Sequence, residues 1–170
     1  MPILTQWQSR RYHRSMASQA KALRPGPPAH KTAQFKRAGE SLGLSISTVP
    51  DLIKEVMRGF SYHALIAFET NSGVSLQSLA QSIGIPERTL ARRRASGRLA
   101  PEESERLLRL SSIFEKAVEL FGGDVPSAVH WLAAPKRALE NQTPLQYART
   151  EVGARAVENL IGRLEHGVFS

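Results

Sequence analysis

The sequence has no cysteine, few aromatic residues and no long apolar run. The absence of cysteine from its 170 residues excludes a disulfide-stabilised scaffold, a thiolate zinc site and a cysteine nucleophile. No apolar stretch reaches the roughly eighteen residues that a membrane-spanning helix needs, so no membrane span is predicted. A hydrophobic content of 41% is typical of a folded protein and disfavours wholesale disorder.

Patterns that would indicate catalysis are also missing. The five histidines (His13, His30, His63, His130 and His166) show no metal-ligand spacing, and no glycine-rich phosphate loop is present. His130, next to Trp131, is more typical of a surface or packing histidine than of a catalytic base. We therefore expect a protein that is not an enzyme and that holds no metal and no cofactor.

Acidic residues are absent from the amino-terminal segment. Residues 1–37 hold eight basic residues and no acidic one, whereas the rest of the chain has fifteen of each, so the net charge of +8 belongs to this segment. The prolines of "LRPGPPAH" disfavour helix and strand, which predicts a disordered basic arm over residues 1–38. Three explanations of the arm remain open: added phosphate affinity, a solvated tail without a role, or translation from an upstream start with Met16 as the internal alternative.

From residue 45 onward the apolar spacing is helical, and no stretch alternates with a period of two residues. Capping residues or early prolines mark the helix starts at Thr48, Ser61, Ser75, Pro86, Asp124, Thr143 and Thr150. The longest helix is predicted from Glu102 to Phe121, with three glutamates where the helix dipole favours acid. The sequence thus predicts an all-α fold. It is divided into a helical region over residues 39–121 and a smaller helical domain over 122–170.

Residues 75–95, "SLQSLAQSIGIPERTLARRRA", contain the most specific local pattern. Apolar or small residues fall at i, i+3, i+4 and i+7 of a short helix, at Leu76, Leu79, Ala80 and Ile83. Gly84 then supplies a turn, Ile85 returns to the core and Leu90 anchors the next helix. This layout is typical of a helix-turn-helix DNA-binding unit.

The second helix of that unit carries the candidate DNA contacts Arg88, Thr89, Arg92, Arg93 and Arg94. Arg88 and Arg92 lie one turn apart, and Thr89 and Arg93 form the neighbouring row, so both rows could face a major groove. Arg94 follows Leu90 by four residues and is expected to meet phosphate or to lie along the surface. The alternative is that these arginines only solvate a helix face, but the spacing around Gly84 favours DNA binding.

The carboxyl-terminal half is similar to a known family. The ordered pattern consists of Trp131-Leu132, Pro135, Leu139, Pro144-Leu145, Thr150, Gly153, Val157, Leu160, Arg163 and Gly167. It resembles the carboxyl-terminal domain of the Xre/ParS/MbcA antitoxins, which accompany toxins of the RES-domain class, and the resemblance spans about residues 75–170. Asn141-Gln142 stand where members usually carry a glycine, and asparagine tolerates the left-handed conformation that such a turn uses.

The resemblance implies a cytoplasmic bacterial antitoxin of a type II system that covers the active site of a toxin that consumes NAD or transfers ADP-ribose. It also implies that the helix-turn-helix region 39–121 serves dimerisation and DNA binding and that the domain 122–170 binds toxin. The expected antitoxin is a homodimer that forms a hetero-oligomer with toxin and represses its own operator DNA, with no membrane partner. Carried over by position, the toxin contacts lie on the last helix and the tip, at Arg155, Asn159, Arg163, His166, Val168 and Phe169. Trp131, Leu132 and Gly153 are interpreted as packing residues.

The last helix is predicted to bury an apolar face of Val152, Ala156, Val157, Leu160, Ile161 and Leu164.

Two other functions compete with the antitoxin. One is a helix-turn-helix regulator without a toxin, whose carboxyl-terminal half serves dimerisation or a ligand. The other is an enzyme, which the histidine and glycine patterns disfavour.

Overall fold

The structure is a computed structural model that describes residues 33–167. Within this range the chain forms eight α-helices and two 3-10 helices, Glu40–Leu42 and Arg137–Leu139. The α-helices are α1 (Val49–Arg58), α2 (Tyr62–Ser72), α3 (Leu76–Ser82), α4 (Glu87–Ser96), α5 (Pro101–Leu120), α6 (Val125–Ala133), α7 (Pro144–Tyr147) and α8 (Glu151–Glu165). Extended pairing over residues 33–167 is limited to the isolated bridges Ser61–Arg98 and Lys136–Gln142. The predicted all-α class is confirmed.

The helices begin where the capping signals placed them. Hydroxyl or carboxylate side chains accept hydrogen bonds from backbone amides in the first turn of six helices, and Pro86 precedes α4 without such a bond. These caps are Thr48, Ser61, Ser75, Asp124, Thr143 and Thr150. Each cap satisfies an amide that the helix itself leaves without a partner.

Helix α5 supplies the centre of the hydrophobic core. Its residues Leu107, Ile113 and Ala117 are fully buried. The helix packs against α1 and α2, which precede it in the sequence, and against α6 and α8, which follow it. The Phe114 ring meets Phe68 of α2 edge-on at a centroid distance of 5.3 Å. The predicted regions 39–121 and 122–170 therefore share one core.

The core also includes residues that were predicted to belong to the disordered arm. The Ala33 amide donates to the Gly123 carbonyl at 2.9 Å, and the Phe35 ring lies 5.7 Å from that of Phe114. Residues 33–38 thus lie on the folded body, and the predicted boundary at residue 38 is wrong for them. The remainder of the predicted arm, residues 1–32, lies outside the described residues.

A buried carboxylate holds the first 3-10 helix against α5. The Ser41 amide and hydroxyl both donate to Oε1 of Glu115, at 2.9 and 2.6 Å. Burial raises the pKa of the Glu115 carboxyl, and the hydrogen bonds from Ser41 oppose that shift. The two donors therefore stabilise the ionised form of a group that the apolar surroundings disfavour.

The turn between the 3-10 helix 137–139 and α7 has the conformation expected of asparagine. Asn141 has a φ of 61°, and the preceding Glu140 has a φ of 56°. The chain closes there through a hydrogen bond from the Lys136 amide to the Gln142 carbonyl at 3.0 Å. The expectation for Asn141 is confirmed, whereas nothing in the sequence indicated the left-handed conformation of Glu140.

Gly153 lets α8 approach the end of α7. A Cβ built at this position would lie 1.8 Å from the Tyr147 carbonyl oxygen, which is backbone and cannot rotate away. A Cβ built at Gly162, which is also on α8, would have no such atom within 4 Å. The packing role interpreted for Gly153 is therefore confirmed, and the two glycines of one helix have opposite environments.

Gly153→Ala is expected to lower the free energy of unfolding by at least about 2 kcal/mol, because the new methyl group must displace backbone. Gly162→Ala, the matched control, is expected to raise it by about 0.5–1 kcal/mol through helix propensity. Urea unfolding followed by circular dichroism measures both. Equal and small effects would show that α7 and α8 can separate without loss of stability.

Candidate DNA-binding helix and last-helix surface

Helices α3 and α4 form the predicted helix-turn-helix. Leu79, Ala80 and Ile83 are buried, and the turn passes through Gly84 at a φ of 70° before Ile85 returns to the core. The Ile85 amide donates to the Ala80 carbonyl at 2.8 Å and so closes the turn. The apolar spacing of residues 76–85 thus predicted both the helix and the turn.

The outward face of α4 carries two of the predicted arginines. Arg88 and Arg92 are exposed, and the exposed Ala91 and Ala95 lie on the same face, within about 100° of arc. Alanine does not hold the helix away from a surface that it approaches, whereas the arginines reach beyond it. The two alanines were not singled out from the sequence, although their spacing relative to Arg88 and Arg92 could have indicated them.

The other three predicted DNA contacts, Thr89, Arg93 and Arg94, differ in their exposure. Arg94 is exposed and Thr89 half-buried. Arg93 turns toward the protein, where its Nε donates to Oε2 of Glu103 at 2.7 Å. The prediction that Arg93 shares the outward row is wrong, because α4 presents this position to α5. Glu103, which the sequence analysis assigned only to the helix dipole, is the partner that it missed.

The carboxyl end of α4 is joined to the segment that follows α1. Nη1 of Arg98 donates to the Gly59 carbonyl at 2.7 Å. The Leu99 amide donates to the Phe60 carbonyl, and the Tyr62 amide donates to the Gly97 carbonyl, both at 2.9 Å. This end of the helix is therefore held by backbone hydrogen bonds and by one arginine.

Helix α8 has a buried face and an opposite exposed stripe. Ala154, Val157, Leu160 and Ile161 are buried. On the other side, within about 80° of arc and over about 21 Å of helix, the exposed stripe consists of Val152, Arg155, Asn159, Arg163 and His166. Four of these five are predicted toxin contacts, and they lie together. The other two predicted contacts, Val168 and Phe169, lie outside the described residues.

Val152 was predicted on the buried face of the last helix, and this is wrong. The residue is 80% exposed, because it lies on the side of α8 opposite the buried Val157 and Ile161. The helical period alone does not decide this, since a residue in the first turn can belong to either edge of the apolar face. The correction adds an apolar residue to the exposed stripe.

Ion pairs connect α8 to α5 next to the stripe. Nε of Arg109 lies 2.8 Å from Oε2 of Glu151, and Lys116 pairs with Glu158 at 3.0 Å. Glu151 also pairs with Arg155 at 2.9 Å. The hydrogen bond from Arg155 lowers the pKa of Glu151, and the charge of Arg109 lowers it further. Arg155 and Glu151 are both exposed, so that pair leaves Arg155 available to a partner.

A shallow groove of about 450 Å³ lies along α6. The Phe121 and Trp131 rings form its apolar side at a centroid distance of 6.5 Å, and Nζ of Lys136 lies 5.0 Å from the centre of the Trp131 ring. Partial burial lowers the pKa of Lys136. Leu132 is buried as expected of a packing residue, while Trp131 is half-buried and lines the groove.

Two further observations concern other kinds of site. Within residues 33–167, no three histidine, aspartate or glutamate side chains lie close enough together to hold a metal ion. Across the same residues, no helix combines the length and the hydropathy needed to cross a membrane.

Family models match both halves of the chain. Residues 51–112, which contain α3 and α4, match the Antitoxin Xre-like helix-turn-helix domain. Residues 116–167, which contain the exposed stripe of α8, match the Antitoxin Xre/MbcA/ParS C-terminal toxin-binding domain. The fold and the two matches together define an antitoxin in which a helix-turn-helix domain is followed along the chain by a toxin-binding domain.

Curated relatives specify the family. The chain is 40% identical over 144 residues to the Antitoxin Xre of Yersinia enterocolitica, which covers 84% of this chain and 95% of that protein. It is 32% identical over 149 residues to the Antitoxin Xre of Photorhabdus laumondii, covering 87% and 100%. A third relative, the Antitoxin Xre of Pseudomonas putida, is 34% identical over 49% of this chain and 52% of that protein. The chain belongs to the Xre antitoxin family.

Membership of this family makes the chain a toxin-neutralising antitoxin with a DNA-binding domain. The suspected resemblance to Xre-type antitoxins is thereby confirmed. A DNA-binding domain followed by a toxin-binding domain also points to a regulator rather than to an enzyme.

Proposed function

We propose that this antitoxin neutralises a RES-domain toxin by laying the exposed stripe of α8 over the toxin's active-site cleft. The observation that supports this most is the composition of the stripe, which has two arginines, one asparagine and one histidine but no acidic residue. A cleft that consumes NAD or transfers ADP-ribose must receive the anionic phosphates of its substrate. A cationic stripe about 21 Å long can take their place or pair with acidic groups of the toxin.

Arg163 is the residue of the stripe that fits this role best. It is exposed, it belongs to the last turn of α8, and it forms no ion pair with another of residues 33–167. Arg155 by contrast pairs with Glu151, at an exposed site where such pairs contribute little to stability. A guanidinium without a partner within the fold has no internal bond to lose when it binds a phosphate or carboxylate.

The proposed DNA function is autorepression through α4. Arg88 and Arg92 contact base edges in the major groove of the operator, and Thr89 and Arg94 contact phosphates on either side. Ala91 and Ala95, exposed on the same face as the two arginines, allow the backbone of α4 to approach the groove. Arg93 is excluded from this set, because its Nε is bonded to Glu103.

The proposed antitoxin is a homodimer that binds toxin as a hetero-oligomer, and α1 offers a surface for the second copy. Val49, Ile53 and Met57 lie at intervals of four residues and are 69%, 56% and 69% exposed. These three residues are spaced symmetrically about Ile53, so a two-fold axis at Ile53 would bring Val49 of one protomer to Met57 of its partner. The charged residues of α1 pair within the helix, as Asp51–Lys54 and Glu55–Arg58, and add no net repulsion.

For DNA binding, Arg88→Ala and Arg92→Ala are each expected to weaken operator affinity by roughly 1–3 kcal/mol, because each removes a base contact. The control is Arg155→Ala, which removes an equal charge from α8 and should leave affinity within about twofold. The measurement is a titration, at fixed salt, of a fluorescent duplex covering the DNA upstream of the protein's own reading frame. Equal losses in all three variants would indicate a general charge effect and a reading surface elsewhere.

For toxin inhibition, Arg163→Glu is expected to raise the antitoxin concentration needed for half-inhibition at least about tenfold, since it reverses a charge at the contact. A chain that ends at Gly162, and so lacks the tip with Val168 and Phe169, is expected not to inhibit. Arg88→Glu, the same charge reversal on α4, should inhibit fully. All three variants are tested by measuring NAD consumption by the product of the neighbouring reading frame. If Arg163→Glu inhibited as well as the unchanged chain, the proposed contact between α8 and the toxin would be wrong.

For the dimer, Ile53→Glu is expected to give a monomer, because it buries two carboxylates at the two-fold axis. Val152→Glu, which also replaces an exposed aliphatic residue, is expected to remain dimeric. Light scattering coupled to gel filtration at matched concentrations measures the masses. A dimer in both variants would place the interface outside α1.

A further inference from the structure

The recognition helix α4 has little hydrophobic attachment to the fold. None of its ten residues is buried, and Leu90 is its half-buried apolar contact with the core. Its carboxyl end is anchored by Arg98 and Leu99, as described above. The apolar packing of α4 itself therefore fixes the rotation of the helix about its own axis only weakly.

Glu103, in the first turn of α5, supplies the missing constraint. Its side chain is 8% exposed and that of Arg93 is 22% exposed. Oε2 of Glu103 accepts two hydrogen bonds, from Nε of Arg93 at 2.7 Å and from the Ala100 amide at 2.8 Å. The second bond fixes the carboxylate relative to α5, and the first fixes Arg93 relative to the carboxylate. A charge-assisted bond in a partly dry site is directional and strong.

The position of Arg93 converts this bond into control of the DNA-binding face. On α4, Arg93 lies about 100° from Arg92 and about 140° from Arg88. Holding Arg93 against α5 therefore turns both of these arginines, with Ala91 and Ala95, away from the body of the protein. Without the bond, the half-buried Leu90 and the anchored carboxyl end would permit rotation of the intervening turns.

We propose that Glu103 is a positioning residue of the recognition helix, acting through Arg93 to set which side chains α4 presents to the operator. This inference rests on the proposed DNA binding by α4. Neither Glu103 nor Arg93 contacts a base in this scheme. Their effect is expressed through Arg88 and Arg92.

The loss of the Glu103 charge and the loss of its positioning role are expected to change operator affinity in opposite directions. A carboxylate in a DNA-binding domain repels phosphate, so its removal by itself strengthens binding to any duplex. Loss of positioning instead weakens binding to the operator while leaving non-specific binding in place. The neighbouring Glu102 is exposed and lies in the same turn of α5, so Glu102→Gln removes an equal charge without touching Arg93.

The experiment compares Glu103→Gln with Glu102→Gln in the full chain. Each is titrated at fixed salt with the duplex from upstream of its own reading frame and with a shuffled duplex of equal length. Glu102→Gln is expected to keep the ratio of the two affinities unchanged. Glu103→Gln is expected to lower that ratio about tenfold, the equivalent of one lost base contact. A change in folded fraction would scale both affinities equally and leave the ratio unchanged.

Arg93→Lys provides a second variant that keeps the net charge and guards against misfolding of Glu103→Gln. Lysine replaces the planar guanidinium with one ammonium group, whose Nζ lies one bond beyond the position of Nε, so the ratio is expected to fall here as well while toxin inhibition is retained. Ratios equal to that of the unchanged chain in both Glu103→Gln and Arg93→Lys would overturn the inference while leaving DNA binding intact. An unchanged chain that did not distinguish the two duplexes would refute the DNA-binding part of the proposed function, and this inference with it.

Discussion

The continuous burial of helix α5 is the constraint on which the rest of the structure depends. From Glu103 to Val118 its inward residues contact elements from both halves of the sequence. Its first turn holds α4 through Glu103, and its middle and end hold α8 through Arg109 and Lys116. Because close-packed interiors tolerate little displacement, one helix sets the positions of both proposed interaction surfaces.

Two arginines, Arg93 of α4 and Arg155 of α8, show how burial changes what an ion pair does. Arg93 and Glu103 are 22% and 8% exposed, and breaking their pair would leave a buried carboxylate without its counterion. Arg155 and Glu151 are 75% and 54% exposed, and their pair is screened by water. The first pair therefore restrains a helix, whereas the second can be exchanged for a contact with a partner.

Much of the fold followed from local signals. Capping side chains marked the helix starts, the spacing around Gly84 marked the helix-turn-helix, and Asn141 marked a left-handed turn. The errors arose where a residue's side of a helix depends on a distant element. Val152 was placed inside and is exposed, Arg93 was placed outside and is paired, and Phe35 was placed in a disordered arm and packs on Phe114.

The sequence by itself determined the all-α class, the helix starts and the helix-turn-helix, since capping, apolar period and turn residues act over a few neighbouring positions. It also determined which helix carries the arginines. The tertiary structure alone decided which of those arginines face outward and which residues of α8 form one exposed stripe. The physical reason is that the face a helix buries depends on the neighbour it packs against, and that neighbour, α5, is brought alongside only by the fold.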